Sequence, residues 1–200
     1  MISIEMAIFA LVTSASPGPV NILASIYGTQ YGLKRSVLYV LGATIGFCTI
    51  LAITGFGVGQ LLQTDERLEL ILTITGSLYL LYLSYKLSKA DINIEDENGR
   101  QNMPSIFQGA FLQYVNPKAW LVSMAGTSMY LQGEKFQALL LLFVSVYLII
   151  CFFSILSWVY FGYLITRNFS KKYLGFYNKG MAGLLAFLVC YNLYNTVFGL

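Results

Sequence analysis

The chain has 200 residues, 57% hydrophobic and only 10% charged, with a net charge of +3 and a mean hydropathy of +0.68. An ordinary soluble domain is about 25% charged, and from Met6 to Thr64 the only charges are the adjacent Lys34 and Arg35, so a soluble helical protein with charged faces is set aside in favour of a membrane protein. Histidine is absent, which removes the commonest metal ligand and general base; Cys48, Cys151 and Cys190 stand alone, so neither a disulfide framework nor a redox pair is present, and no basic stripe with interleaved aromatics suits nucleic acid.

Six apolar spans follow in chain order. Span one runs from Ile4 to Tyr27 and is interrupted by Ser16-Pro17-Gly18-Pro19. The preceding Thr13-Ser14-Ala15-Ser16 resembles a signal-peptide cleavage site. The segment before it carries Glu5 rather than a positive charge, and the apolar run resumes after Pro19, so a retained span is expected. Span two covers Val37 to Leu62, span three Leu68 to Leu87, and span four Ile106 to Leu131, interrupted by Asn116-Pro117-Lys118. Span five covers Phe136 to Tyr160 and span six Met181 to Phe198. At a rise of 1.5 Å per residue, each suffices for a hydrocarbon core about 30 Å thick.

The loops set an orientation. Loop one carries Lys34 and Arg35, loop three Lys86, Lys89 and Arg100, and loop five Arg167, Lys171, Lys172 and Lys179. Loops two and four carry only Arg67 and Lys135. The positive-inside rule then places the odd loops in the cytoplasm and both termini outside. Loop three also holds Asp91, Glu95, Asp96 and Glu97, as a solvated connector would. Loop five interleaves its charges with Tyr163, Phe169, Tyr173, Phe176 and Tyr177, the pattern of a short interfacial helix.

The expected fold is an all-α polytopic membrane protein, with six transmembrane helices in two inverted three-helix repeats and proline-broken helices one and four. One integral membrane domain spans residues 1–200. The first repeat occupies 1–87, a cytoplasmic connector 88–105, and the second repeat 106–200. Each repeat opens with a broken span, and its third span is entered near glycine: Gly76 in one, Gly180 and Gly183 in the other. Gly28 and Gly32, Gly42 and Gly46, and Gly55 and Gly59 share helix faces, which suits close helix packing. Gly28 and Gly32 also suit a bend at the inner end of span one.

The breaks are the candidate site. Proline removes a helical hydrogen bond, and broken backbone at membrane depth is tolerated only against protein or a polar cavity. Pro17 and Pro19 lack amide hydrogens and flank Gly18, with Ser14, Ser16 and Asn21 around them. Gln113, Tyr114, Asn116 and Lys118 surround Pro117. Uncapped amides at one end of a broken helix and carbonyls at the other complement a zwitterion. Lys118 is the one cation deep in a span, and no Asp or Glu lies within any span except Glu5 and Glu69 at outer ends. Lys118 is therefore the candidate both for the substrate carboxylate and for the titrating coupling group. Tyr79, Tyr82 and Tyr114 suit an apolar side-chain pocket if they turn inward.

Several stretches together resemble a known family. Ser16-Pro17-Gly18-Pro19-Val20-Asn21-Ile22-Leu23 is followed by Gly28 and Gly32, then by Gly42 and Gly46. Gly76-Ser77-Leu78-Tyr79-Leu80-Leu81-Tyr82-Leu83 lies in the third span, and Gly109-Ala110-Phe111-Leu112 precedes Asn116-Pro117-Lys118-Ala119-Trp120 in the fourth. This ordered series resembles the LysE/RhtB family of bacterial amino-acid exporters, which includes the lysine exporter and the homoserine/threonine exporters. Asn21 stands one place later than the asparagine or aspartate of many relatives, and Phe47 and Ser84 stand where relatives are often polar or glycine. The resemblance implies export of amino acids or close derivatives from the cytoplasm across the bacterial inner membrane, coupled to the proton motive force.

The residues themselves add several expectations. No phosphate-binding loop is present, so alternating access with proton antiport is favoured over nucleotide drive. A single deep cation without a partner anion favours a small zwitterionic substrate. No nucleophile-base pair or metal cluster suggests an enzyme, and no cofactor or metal is expected. The alternatives are an exporter of another small solute or ion, and a non-transporting membrane structural protein. Protons and membrane lipids are the remaining expected partners. One pathway per protomer is expected, with or without pairing into a homodimer.

Overall fold

The structure, a computed structural model, describes residues 2–58, 66–88, 104–131 and 135–198. Those residues form helices and no strand. Most of the expected connector 88–105, the outer end of span two and Gly59 lie outside the described residues.

Helix α1 (Ile2–Ala15) stops where Pro17 and Pro19 withhold their amides. Helix α2 (Pro19–Ile53) restarts with Pro19 in its first turn, where a missing N–H costs nothing. Gly32 interrupts α2 with φ 71°, a left-handed value that favours glycine. The chain reverses there. The Tyr39 hydroxyl donates to the Val20 carbonyl at 2.9 Å, whereas a straight helix would separate residues nineteen apart by about 28 Å. Helix α2 is therefore a hairpin with arms 19–31 and 33–53. The expected loop 28–36 is helical except at Gly32, and Gly28 serves packing. Thr54–Val58 follow as a π-helical turn with Gly57 at φ 97°.

Helix α3 (Glu66–Ser88) comes next. The expected fourth span is α4 (Ile106–Tyr114) and α5 (Pro117–Tyr130), separated at Asn116. Helix α6 (Phe136–Asn168) runs beyond the expected end at Tyr160. Helix α7 (Lys171–Phe198) is continuous through the aromatic and basic stretch, so the expected separate interfacial helix is the first turns of α7 instead. Among the described residues, three helical stretches are by length and composition apolar enough to cross a membrane: Pro19–Gly57, Phe136–Asn168 and Tyr173–Thr196. The first of them turns back at Gly32.

The first arm of α2 is the centre, with Val20 through Gln30 all buried. Around it the other helices bury one stripe and expose another. On α6 the buried stripe is Phe143, Tyr147, Cys151, Ile155 and Val159, a repeat of four that follows one helix face. Leu141, Leu148, Ile149 and Phe153 point outward, which water would oppose and lipid accepts. Cys190 is exposed on α7, unlike the buried Cys48 and Cys151.

Glycine brings backbones together at three crossings. A Cβ on Gly28 would overlap the Val159 carbonyl oxygen, and one on Gly162 would overlap that of Ser25, so the first arm of α2 and α6 interlock reciprocally. Gly42 meets the Ile106 carbonyl and Gly109 that of Tyr39, so the second arm and α4 interlock in the same way. Gly76 of α3 lies against the Val115 carbonyl. Gly180 and Gly183 face open space and take no part in such packing.

Candidate functional site

The first break leaves four carbonyls that an unbroken helix would have bonded. Side chains satisfy each of them. Ser16 Oγ donates to the Thr13 carbonyl at 3.0 Å. Asn21 Nδ2 donates to the Ser14 carbonyl at 2.7 Å and to that of Ser16 at 2.9 Å. Trp158 Nε1 reaches the Ala15 carbonyl at 3.1 Å. Gly18 between the prolines is extended, at φ −168°, so it is not needed for its torsion angle. A side chain there would approach Lys118 Nζ to 3.3 Å, and glycine leaves that room.

The second break is repaired from the same kit. Asn116 caps α5, its Oδ1 accepting from the Lys118 amide at 3.2 Å. The Tyr114 carbonyl, which the Lys118 amide would have met in a continuous helix, accepts instead from Trp120 Nε1 at 2.8 Å. Each break thus uses one asparagine and one tryptophan, with Ser16 added at the first, and these are the only two tryptophans of the chain.

Lys118 joins the breaks. Its Nζ donates to Ser16 Oγ at 2.7 Å and to the Ser16 carbonyl at 3.2 Å. Both acceptors are neutral, and a partly buried cation is costly without an anion. The ammonium has three hydrogens, so one remains after Ser16 is served.

A cavity of about 40 Å³ lies between the breaks. Ser14, Gly18, Asn21, Gln113, Asn116 and Lys118 line it, together with Thr13, Val20, Phe47, Ala119, Val122, Cys151 and Ile155. Such a volume has room for about three waters and falls short of a typical ligand pocket of roughly 300–1,000 Å³. Asn21 spends both amide hydrogens on backbone, which leaves its Oδ1 as an acceptor on the wall.

Of the expected site residues, Ser14, Gly18, Asn21, Gln113, Asn116 and Lys118 converge on this cavity. Ser16 holds Lys118. Pro17, Pro19 and Pro117 shape the breaks without lining the cavity, and Tyr114 contributes its carbonyl rather than its ring. The expected tyrosine pocket does not form: Tyr82 is exposed and Tyr79 stacks edge-on against Phe111 at 5.1 Å. The aromatic wall comes from Phe47, noted in the sequence only as a departure from relatives, and from residues that the sequence did not single out. Phe47 packs on Tyr147 at 4.6 Å, and the Tyr147 hydroxyl shares a hydrogen bond with Thr13 at 2.8 Å. Phe143, Tyr130 and Phe9 continue this cluster away from the cavity.

Towards the Gly32 turn the first arm of α2 carries a polar stripe at intervals of four. Asn21 closes the break, Ser25 shares a hydrogen bond with the Tyr177 hydroxyl, and Thr29 donates to Asn178 Oδ1 at 2.8 Å. On the same side, Tyr27 packs on Tyr39 at 5.0 Å and accepts from Gln108 Nε2 at 2.6 Å.

Comparison with known proteins places this geometry. The chain is 27% identical over 184 residues to the cysteine/O-acetylserine efflux protein of Salmonella typhimurium, covering 92% of this chain and 91% of the relative. It is 29% identical over 189 residues to that of Klebsiella pneumoniae, covering 92% and 90%, and 28% identical over 185 residues to that of Escherichia coli, covering 92% and 91%. No solved structure matches. The model of the LysE type translocators matches residues 11–196, and the chain belongs to that family, as a membrane transporter and not an enzyme.

Proposed function

We propose that this protein exports small zwitterionic amino acids or close derivatives from the cytoplasm across the bacterial inner membrane. The observation that carries the reading is the Lys118 ammonium, held by neutral Ser16 oxygens across two broken helices and bordering a cavity lined in part by polar side chains. A substrate carboxylate is the anion this cation lacks. It replaces the Ser16 oxygens, and the Asn21 Oδ1 together with break carbonyls receives the substrate ammonium. The relatives' names fit, since cysteine and O-acetylserine are both small zwitterions.

The cavity is too small for an amino acid, so a substrate fits only after its walls part, and alternating access supplies that opening. Six spans in two inverted repeats, 1–87 and 106–200, supply the rocking halves, with both termini outside. Proton exchange supplies the drive, and Lys118, as the deep titratable group, alternates between proton and substrate. Each protomer holds one pathway, since a single copy covers both breaks.

Counterflow of labelled cysteine and O-acetylserine in proteoliposomes tests this reading. Lys118→Ala is expected to abolish exchange, and Lys118→Arg to retain binding while losing the response to an imposed pH gradient. Full transport by Lys118→Ala would sink both roles of the lysine. Exclusive transport of lysine or arginine by the unaltered protein would overturn the zwitterion reading.

A further inference from the structure

A second cavity, of about 350 Å³, opens where α6 ends and α7 begins. It is lined by Ile165, Phe169, Tyr173, Phe176, Gly180 and Met181, with Tyr177 at its inner side, and the lining is wholly apolar. Its size falls in the range of small-molecule pockets, roughly 300–1,000 Å³. Interleaved with these residues are Arg167, Lys171, Lys172 and Lys179. Arg167 and Lys179 are exposed, and no acidic residue occurs from Phe136 to the end of the chain. Nothing on α6 or α7 therefore neutralises these charges. Thr166 donates to the Thr29 carbonyl at 3.2 Å, which brings the Gly32 turn, with Lys34 and Arg35, to the same end of the bundle.

We propose that this cleft binds an anionic phospholipid, with an acyl chain between α6 and α7 and the headgroup among the surrounding basic residues. An apolar cleft at an end of the bundle whose sequence is basic and free of acid matches an amphiphile with a negative head. A peptide fits poorly, because its backbone amides and carbonyls would find no partner on such walls. A second copy of the chain fits poorly too. A two-fold contact places each patch against itself, and the basic residues at this end would then repel. The site touches the transport machinery, since Tyr177 shares its hydrogen bond with Ser25 on the central arm.

The test uses the purified full chain in detergent, with lipid retention read by native mass spectrometry. Phosphatidylglycerol and phosphatidylcholine of identical acyl chains are the two probes. Phosphatidylglycerol should be retained several-fold more than phosphatidylcholine. The double variant Arg167→Gln/Lys179→Gln should weaken phosphatidylglycerol retention roughly tenfold and leave phosphatidylcholine unchanged. Gly180→Leu, which fills open space beside the cleft, should reduce retention of both lipids. The exposed double variant decides the matter if Gly180→Leu fails to fold. Equal retention of the two lipids, or indifference to the double variant, overturns the proposal. So does a Gly180→Leu protein that loses a dimer rather than a lipid.

Discussion

A proline inside a membrane helix frees carbonyls, and this chain meets them with side chains that no local pattern announces. Asn21 serves two of them and lies close in sequence to both. Trp158 serves the Ala15 carbonyl from a position 143 residues away, and by sequence alone it reads as one more aromatic of an interfacial belt. Trp120 serves the Tyr114 carbonyl from six residues on. Its replacement by phenylalanine keeps the ring and removes the donor. An unsatisfied buried carbonyl costs about 1–3 kcal/mol, so Trp120→Phe should lower stability by that amount, read from thermal unfolding in detergent. Unchanged unfolding would mean that water or a neighbouring amide already serves the carbonyl. Lys118 was legible because charge in an apolar run is conspicuous. Its anchor on Ser16 was not, since that contact spans 102 residues and depends on two breaks meeting.

Among the elements, glycine does two different things that the same sequence spacing hides. Gly28 and Gly32 are four apart and read alike, either as one packing face or as a bend at the inner end of span one. Gly32 is the reversal of a hairpin, while Gly28 admits the Val159 carbonyl. Gly180 and Gly183 read as entry points of a span, yet a Cβ at either meets nothing. The distinction yields a paired prediction. Gly28→Ala places a methyl group against rigid backbone of α6, so the helices must separate, at a cost of about 1–3 kcal/mol. Gly183→Ala should instead stabilise by up to about 1 kcal/mol, because alanine is the better helix former in open space. Melting temperatures that move in the same direction for the two variants would contradict the interlocked crossing. The all-helical, apolar character of the chain was legible because apolar length is a strong signal. The run of α6 through Asn168 and of α7 from Lys171 was not, because basic and aromatic residues mark a membrane boundary without ending a helix.

At the scale of the whole molecule, the cavity between the breaks is flanked by two unlike walls. One is the aromatic cluster of Phe47, Tyr147, Phe143, Tyr130 and Phe9, tied to α1 by the Tyr147 and Thr13 hydroxyls. The other, towards the Gly32 turn, is a set of hydrogen bonds: Tyr39 to the Val20 carbonyl, Gln108 to Tyr27, Ser25 with Tyr177, and Thr29 to Asn178. Alternating access needs each wall to open in turn, so removing a bond from one should shift the population towards opening on that side. Cys151 lines the cavity and is buried, which makes it a native reporter of opening. In a Cys48→Ala/Cys190→Ser background, an impermeant maleimide should label Cys151 slowly from either face. Thr29→Val removes the donor to Asn178, a bond of about 0.5–1.5 kcal/mol, so labelling should quicken roughly twofold to tenfold. The increase should appear in inside-out vesicles and not in intact cells if, as proposed, the positive-inside rule puts Lys34, Arg35 and that turn in the cytoplasm. Faster labelling in intact cells alone would reverse the orientation. Equal acceleration from both sides would mean that the two walls open together, as in a channel, and alternating access would have to be abandoned.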